Sequence, residues 1–139
     1  MVALVLVAHS PELLVGLRAM VAQAAPLVPV AVAGGTASGA LGTNAPAVER
    51  ALVQALRASS GDGVVVLIDL GSAAMAVEIA LEGLSDRDRG RVRLGTGPIV
   101  EGAVLAAVEA TAGASLEAVL AAANGAAGAS KLPDGRAQA

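Results

Sequence analysis

The sequence has no cysteine and no Phe, Tyr or Trp among its 139 residues. Without cysteine there can be no disulfide, no thiolate metal site and no cysteine nucleophile, which is compatible with a cytoplasmic protein. Without aromatic rings, functions that stack a nucleobase or a flavin on such rings become improbable. The core must therefore be built from the small aliphatic side chains of Val, Leu, Ala and Ile.

Charged residues are scarce as well. Nine Lys+Arg stand against twelve Asp+Glu, for a formal net charge of -3, and Lys131 is the only lysine. A slightly acidic chain lacks the basic patch that binds nucleic acid. Residues 19–48 carry no charge, but Pro26, Pro29 and the glycines of 34–42 interrupt any helix long enough to cross about 30 Å of hydrocarbon. No basic residue precedes the apolar N-terminal run, so it does not resemble a signal peptide. We therefore expect one cytoplasmic domain that binds neither nucleic acid nor membrane.

What the sequence does contain is an alternation of short apolar runs and helical patterns. The runs predicted as strands are Val2–Ala8, Val28–Ala33, Val64–Ile68 and Arg91–Thr96. This alternation predicts an α/β fold of the flavodoxin-like, doubly wound type: a mainly parallel four-stranded sheet in the order 2-1-3-4, with helices on both faces. Pro29 predicts that the second strand lies at the sheet edge or begins there.

The spacing of apolar residues between the strands predicts which side chains face the core. These are Leu13, Leu14, Leu17, Met20 and Val21 in the first helix, and Met75, Ile79 and Leu81 in the helix that starts near Ser72. Residues 85–90 are expected to form a charged surface loop. Residues 125–139 are expected to form a flexible tail or the start of a linker.

Two polar residues directly follow two of the predicted strands. His9, the only histidine, ends the first apolar run, and Asp69 ends the third. Strands 1 and 3 are neighbours in the predicted order, about 4.8 Å apart, and ligands bind such sheets at the carboxyl ends of their strands. We therefore expect the two side chains to meet. A carboxylate that accepts the proton of one imidazole nitrogen leaves the other nitrogen free as a nucleophile or base.

The neighbouring loops carry small residues that suit an anionic group. They hold Thr36, the pair Gly71-Ser72 and the pair Thr96-Gly97, whose backbone N–H groups and hydroxyls could surround a phosphoryl group. No glycine-rich loop ends in Lys-Ser or Lys-Thr, so a P-loop is absent, and the spacing around Gly95 and Gly97 is not that of a dinucleotide fingerprint.

Each of these features also has a purely structural interpretation. A lone histidine after a strand is more often a packed or capping residue than a catalyst. Asp69 could simply form a turn with Gly71-Ser72, and Gly34-Gly35-Thr36 could be only a loop. The coincidence of His9 and Asp69 at the same end of two buried strands favours the functional interpretation.

With these residues placed, the chain resembles the mannose-type enzyme IIA domains of the bacterial phosphotransferase system. The matching stretches are LVLVAHSPEL (4–13), the GG…LGTNA segment (34–45), VVVLIDLGSAAMAVEIALE (64–82) and GPIVEGAVLAAVEATAG (97–113). The resemblance spans residues 1–124, which would form the domain. The DLGSA motif and the VEG after strand 4 favour the branch that serves dihydroxyacetone kinases over the one that serves sugar permeases.

The resemblance implies a phosphotransferase function in which His9 accepts a phosphoryl group from phospho-HPr. His9 would pass the group to ADP bound in a separate nucleotide-binding kinase subunit, and the ATP formed would phosphorylate dihydroxyacetone on a third subunit. Asp69 would orient His9, and the phosphoryl-cradling residues would be Ser10, Thr36, Gly71, Ser72 and Thr96. The resemblance also implies a homodimer without a metal or cofactor of its own, since ADP and magnesium would reside on the partner subunit.

Three other functions remain open from the sequence. A sugar-transporter IIA domain would share His9 and the fold and differ only in its acceptor. A two-component receiver would use Asp69, but it requires acidic residues after strand 1 and a lysine after strand 5, where this chain has His9-Ser10 and no such lysine. A non-catalytic flavodoxin-like binding module is the third, although a flavin is improbable without aromatic residues.

Overall fold

The computed structural model describes residues 1–133, and residues 134–139, the end of the predicted tail, lie outside the described part. Its centre is a four-stranded parallel sheet in the order β2-β1-β3-β4. The strands are β1 (Ala3–Ala8), β2 (Val30–Gly34), β3 (Val64–Ile68) and β4 (Val92–Leu94). The fold class and the strand order predicted from the sequence are confirmed. The edge position of the strand that follows Pro29 is confirmed as well.

Helices follow each strand. Within residues 1–133 they are α1 (Pro11–Ala24), α2 (Ala45–Ala58), α3 (Ala73–Glu82), α4 (Asp86–Arg89), α5 (Ile99–Thr111) and α6 (Leu116–Gly125), followed by a 3-10 turn at Ala126–Gly128. Ser10, Asn44 and Ser115 cap α1, α2 and α6, each accepting a hydrogen bond from the backbone N–H three residues further on. Proline in the first turn of α1 and α2 loses nothing there, because its missing N–H would have no partner in the helix.

The sheet is covered on both faces. Leu4 and Leu6 of β1 pack against α1, α5 and α6, whereas Val5 and Val7 pack against α2 and α3. A strand buried on both faces has no polar side to show, which explains the uninterrupted apolar sequence of β1. The helices on both faces hold the strands in place, and this also sets the positions of the residues that directly follow each strand.

The predicted core faces of two helices are partly wrong. In α1, Leu14, Leu17 and Val21 are buried as expected, but Leu13 and Met20 are exposed. In α3 the buried side chains are Ala73, Ala76, Val77 and Ala80, while Met75 and Ile79 face solvent and Leu81 is half-buried. Both helices carry apolar residues on more than one face. The spacing of these residues therefore could not identify the face that packs in the core. Small side chains on the packed face of α3 let it lie close against α2.

Strand β4 is shorter than the predicted Arg91–Thr96. The N–H of Gly95 still bonds to the carbonyl of Val66 at 2.8 Å, but the N–H of Thr96 donates to the Oδ1 atom of Asn124 at 2.7 Å. The N–H of Thr96 points to the outer side of this edge strand, where a side chain of α6 accepts it.

Residues 85–90 are exposed at the surface, but they are not the loop that was predicted. Ser85 accepts a hydrogen bond from the N–H of Asp88 at 3.1 Å and caps the single turn of α4. Short polar residues in a charged segment thus form a capped helical turn instead of an open loop.

Past residue 124, the chain remains helical as far as Gly128. Helix α6 runs to Gly125, Ala126 is buried in the 3-10 turn, and Lys131 forms an ion pair with Glu101 of α5 at 2.8 Å. The boundary at residue 124 stays a prediction.

Candidate functional site

His9 and Asp69 meet at the carboxyl edge of the sheet, as the sequence predicted. Strands β1 and β3 are hydrogen-bonded neighbours in which Val7 pairs with Ile68, so each polar residue lies just past the paired part of its strand. The N–H of Asp69 continues the ladder by donating to the carbonyl of Val7 at 3.1 Å. The backbone of two buried strands thus sets where both side chains start.

The carboxylate of Asp69 is bound to His9 at two places. The backbone N–H of His9 donates to Oδ2 at 2.9 Å, and the ring Nδ1 atom lies 2.9 Å from Oδ1 and 3.2 Å from Oδ2. Because an ionised carboxylate only accepts hydrogen bonds, Nδ1 carries the proton in this contact. In the neutral imidazole, the Nε2 atom then holds the free lone pair.

Burial and hydrogen bonding act in opposite directions on Asp69. Burial raises the pKa of its carboxyl group, but hydrogen bonds from the backbone and ring of His9 and from the N–H of Leu70 outweigh it, so the pKa is lowered overall. The side chain is 13% exposed and that of His9 is 25% exposed. Asp69 is therefore held as the anion beside an imidazole that solvent can still reach.

Ser72 occupies the N-cap position of α3 without capping it. Its side chain makes no hydrogen bond to the helix, and its Oγ atom lies 2.9 Å from Nε2 of His9. With the proton of the ring on Nδ1, the hydroxyl of Ser72 donates to the Nε2 lone pair. A serine hydroxyl at an N-cap normally accepts a backbone N–H and stabilises the helix. The Ser72 hydroxyl bonds to His9 instead, which indicates a role at the site.

Ser10, also expected near a phosphoryl group, is engaged in local structure. Its Oγ atom accepts the N–H of Leu13 at 3.2 Å and caps α1. The structure places Ser10 next to His9 along the chain but shows no hydrogen bond between their side chains.

Thr36 is likewise engaged within its own loop. Its Oγ1 atom lies 3.1 Å from the hydroxyl of Ser38 and accepts the N–H of Ala40 at 3.2 Å. The loop is attached to the site by its backbone, since the N–H of Gly42 donates to the carbonyl of His9 at 2.9 Å. The structure thus connects the loop to His9, but it does not bring the Thr36 hydroxyl to the ring.

Gly71 and Thr96 line a cleft of about 460 Å³ beside the pair of His9 and Asp69. Asp69 and Leu70 form one wall, and the β4–α5 loop with Gly97 and Pro98 forms the other. The N–H of Thr96 is already bonded to Asn124, so only its side chain is free to face a ligand. Both residues lie next to the site, as predicted, without touching His9.

Sequence reasoning missed Asn124. It lies in the last turn of α6, and its Oδ1 atom holds the β4–α5 loop through Thr96. A Cβ atom on Gly97 would lie only 2.1 Å from the carbonyl oxygen of Ala123, so the loop and α6 approach as closely as glycine permits. An asparagine followed by glycine reads as an ordinary helix end, and nothing in the sequence connects it to a loop 28 residues earlier.

The described part of the chain offers no cation to the site. None of its lysine or arginine side chains hydrogen-bonds or ion-pairs with His9, Asp69 or Ser72; the partners are one another and the N–H of Leu70. Residues 1–133 hold no group of three His, Cys, Asp or Glu side chains that could bind a metal ion. In the same residues, no helix is both long and apolar enough to span a membrane.

Fold and site together define a flavodoxin-like α/β protein with an imidazole at the carboxyl edge of the sheet, hydrogen-bonded to a carboxylate on one nitrogen and to a serine hydroxyl on the other. The family described as the PTS system fructose IIA component, EIIA-man, matches residues 3–120. The chain belongs to this family, as the resemblance in the sequence predicted.

Curated relatives point to one branch of that family. Phosphoryl donor subunit DhaM of the PEP-dependent dihydroxyacetone kinase 2 of Listeria innocua is 33% identical, over 86% of this chain and 94% of its own. The phosphotransferase subunit DhaM of the Lactococcus lactis PTS-dependent dihydroxyacetone kinase is 30% identical, over 84% and 88%. The Escherichia coli phosphoryl donor subunit DhaM is 35% identical over 86% of this chain, which spans only 26% of that longer protein.

A solved structure agrees on the fold. The crystal structure of the unknown function protein EF1359 superimposes with a TM-score of 0.81 at 27% sequence identity, covering 95% of this chain and 98% of the other. The architecture is therefore shared over nearly the whole of both chains.

Proposed function

We propose that this chain is the phosphohistidine carrier of a phosphotransferase-dependent dihydroxyacetone kinase. In this proposal His9 accepts a phosphoryl group from phospho-HPr on Nε2 and passes it to ADP bound in the nucleotide-binding kinase subunit. The observation that carries the proposal is the contact of Nδ1 with Asp69 at 2.9 Å, which leaves Nε2 as the nucleophilic nitrogen. The names of the DhaM relatives support the kinase as the acceptor.

Accepting the group requires no net proton transfer on His9. The Nε2 lone pair forms the new N–P bond while the N–P bond of the donor breaks, and its electron pair stays on the donor nitrogen. The proton on Nδ1 remains in place, and the nearby carboxylate of Asp69 stabilises the positive charge that spreads over the ring as the new bond forms.

Ser72 would change its partner during this step. Its hydroxyl donates to Nε2 before transfer and must release that lone pair, after which it can donate to a phosphoryl oxygen. The backbone N–H groups of Gly71 and Ser72 donate to no acceptor within residues 1–133, so both are available to the same oxygens. These groups are the cradle that the proposal assigns.

Donating the group reverses the bond changes on His9. The N–P bond breaks, its electron pair returns to Nε2, and an oxygen of the ADP β-phosphate forms the new O–P bond, which yields ATP on the partner subunit. Phosphoryl transfer of this kind depends mainly on positioning and on charge stabilisation. A rigid imidazole at the end of a buried strand meets the first requirement.

The proposal includes the remaining expectations from the sequence. HPr is the donor, the nucleotide-binding and dihydroxyacetone-binding subunits are the partners, and the chain acts in the cytoplasm as a homodimer. ADP and magnesium belong to the partner subunit, and the carrier holds no metal or cofactor of its own.

Intact mass spectrometry tests the carrier role directly. Wild type and His9→Ala are incubated with phosphoenolpyruvate, enzyme I and HPr, and circular dichroism confirms that both are folded. We expect one acid-labile phosphoryl group on wild type and none on the variant. Full labelling of His9→Ala would falsify the proposal, as would an unlabelled wild type.

A second stage identifies the acceptor. Purified phosphorylated chain is mixed with the nucleotide-binding kinase subunit and ADP, and ATP formation is followed together with loss of the label. Transfer only to a sugar-permease IIB protein would assign the chain to the sugar-transport branch instead.

A further inference from the structure

Asp69 and Ser72 bind opposite nitrogens of the His9 ring. The Nδ1 atom lies 2.9 Å from Oδ1 of Asp69, and the Nε2 atom lies 2.9 Å from Oγ of Ser72. With the ring proton on Nδ1, the lone pair of Nε2 accepts the hydroxyl proton of Ser72. Carboxylate, imidazole and hydroxyl in this order are the arrangement in which a histidine activates a serine as a nucleophile, and it occurs on unrelated folds.

The hydroxyl of Ser72 is accessible to a small molecule. Ser72 is exposed at the start of α3, and its side chain makes no hydrogen bond to the helix. The backbone N–H groups of Gly71 and Ser72 have no acceptor in the described part of the chain, and the dipole of α3 favours negative charge beside them. Free N–H groups next to a nucleophile can stabilise the oxyanion that forms when it attacks an ester carbonyl.

The cleft beside the site is suited to an uncharged, apolar group. Gly71 and Ala74, on either side of Ser72 in the chain, line this cleft of about 460 Å³. Its apolar walls also include Ile68, Leu70, Leu94 and Pro98. An ester of a short aliphatic acid has no charge to neutralise, and its acyl chain can bury apolar surface against such walls.

We propose that Asp69, His9 and Ser72 form a catalytic triad that gives this chain a second activity, the hydrolysis of small uncharged carboxylic esters. Ser72 is the nucleophile, His9 is the base and then the acid, and Asp69 holds the ring in the required tautomer. The acyl chain lies in the cleft, and the carbonyl oxygen lies at the free N–H groups of Gly71 and Ser72.

The reaction begins with acylation of Ser72. Its Oγ atom forms a bond to the ester carbon while its proton passes to Nε2 of His9, and the carbonyl oxygen takes the electron pair of the C=O bond. When this intermediate collapses, the bond to the alcohol oxygen breaks and the alcohol leaves with the proton from Nε2.

Hydrolysis of the acyl group restores Ser72. A water molecule gives a proton to Nε2 of His9 and its oxygen to the acyl carbon, and the bond to Oγ then breaks as Ser72 takes the proton back. The net reaction converts one ester and one water into an acid and an alcohol, so it requires no other reactant.

The two activities exclude each other at Nε2 of His9. A phosphoryl group on Nε2 occupies the lone pair that must accept the proton of Ser72, so the phosphorylated chain has no base for the ester reaction. Only the unphosphorylated form should hydrolyse esters. This consequence rests on the proposed function, whereas the triad itself does not.

A fluorophosphonate probe tests whether Ser72 is activated. Such a probe forms an O–P bond to an activated serine and loses fluoride, while the serine proton passes to the base. Folded wild type is incubated with the probe, and the adduct is counted by intact mass and located by peptide mapping. We expect one adduct, on Ser72. An unlabelled wild type, or adducts confined to other residues, would overturn the triad.

Substitutions test the role of each member. Labelling of His9→Ala should be about 100-fold slower than that of wild type, because the base is lost, and Ser72→Ala should not be labelled. Ser85→Ala is the control, since it removes a serine hydroxyl that caps α4, away from the site, and it should be labelled at the wild-type rate. Circular dichroism checks that all variants are folded. Labelling of His9→Ala at the wild-type rate would show that His9 does not activate Ser72.

Release of nitrophenolate from p-nitrophenyl butyrate measures the hydrolysis itself. Wild type is compared with Ser72→Ala and with wild type phosphorylated by HPr, and we expect the rate to fall at least about tenfold in both. A rate for Ser72→Ala equal to that of wild type would contradict the proposed activity, and so would equal rates for the two phosphorylation states. Failure of wild type to take up a phosphoryl group would instead contradict the carrier role, while the probe and Ser72→Ala still decide the triad.

Discussion

The loops after the two central strands and the loops after the two outer strands use their polar residues differently. After β1 and β3, His9 and Asp69 bind each other, and Ser72 completes the set by contacting Nε2. After β2 and β4, the polar groups of Thr36 and the N–H of Thr96 are engaged in holding the loops themselves. The four loops gather at one edge of the sheet, but only the central two form a chemical site.

The difference has a structural cause. His9 and Asp69 follow β1 and β3, the two strands that are paired on both sides, so the register of these strands determines where their side chains start. Thr36 and Thr96 belong to loops that must satisfy their own backbone groups at the surface, where short hydroxyl side chains are the nearest partners. A position at the end of a central strand is thus a better guide to this site than residue type.

The largest effect on phosphorylation is expected from a change at Asp69, whose carboxylate binds His9. Asp69→Asn can present an N–H instead of an acceptor to Nδ1, so that the ring no longer holds its proton there. We expect the rate of phosphorylation by HPr to fall about 100-fold, measured by rapid-quench labelling. Asp86→Asn, at a fully exposed acid of α4, is the control and should retain the wild-type rate. An Asp69→Asn rate near that of wild type would show that Asp69 does not orient His9.

The next largest effect is on the stability of the β4–α5 loop, which contains Gly97. Gly97→Ala places a methyl group against the carbonyl of Ala123, and we expect the free energy of unfolding to fall by about 2 kcal/mol in urea titrations. Gly16→Ala is the matched control, because no atom lies within 4 Å of its Cβ position in α1, and it should raise stability by up to about 1 kcal/mol. Equal stability of both variants would contradict the close approach of loop and α6.

A smaller effect is expected at Asn124. Asn124→Ala removes the acceptor for the N–H of Thr96, which should cost about 1 kcal/mol, while Asn124→Asp keeps an acceptor oxygen and most of the stability. Phosphorylation of His9 should remain within about threefold of wild type, because the site itself is unchanged. A far larger loss of labelling rate in a folded Asn124→Ala would extend the chemical site to the outer loop.

The smallest effect is expected at Thr36. Thr36→Ala removes two exposed hydrogen bonds within the loop, and we expect a loss of about 0.5 kcal/mol in stability with little change in labelling rate. A drop in rate as large as that of Asp69→Asn would place Thr36 among the phosphoryl-binding residues and remove the contrast between central and outer loops.

Much of this arrangement was predictable because it depends on local patterns. The four apolar runs and their order, the edge position after Pro29 and the meeting of His9 with Asp69 were all expected and are confirmed. The core faces of α1 and α3 were partly wrong, since Leu13, Met20, Met75 and Ile79 had the right spacing but face solvent. In an alanine-rich helix, the partner surface decides which apolar residues are covered.

The sequence by itself determined the strands, their parallel arrangement and the position of one imidazole at a strand end, because apolar runs and chain connectivity are local properties. The tertiary structure alone decided that the Ser72 hydroxyl bonds to Nε2 instead of capping α3, and that Asn124 holds a loop distant in sequence. These features depend on distances between separate elements, which emerge only when the two apolar layers pack on the sheet.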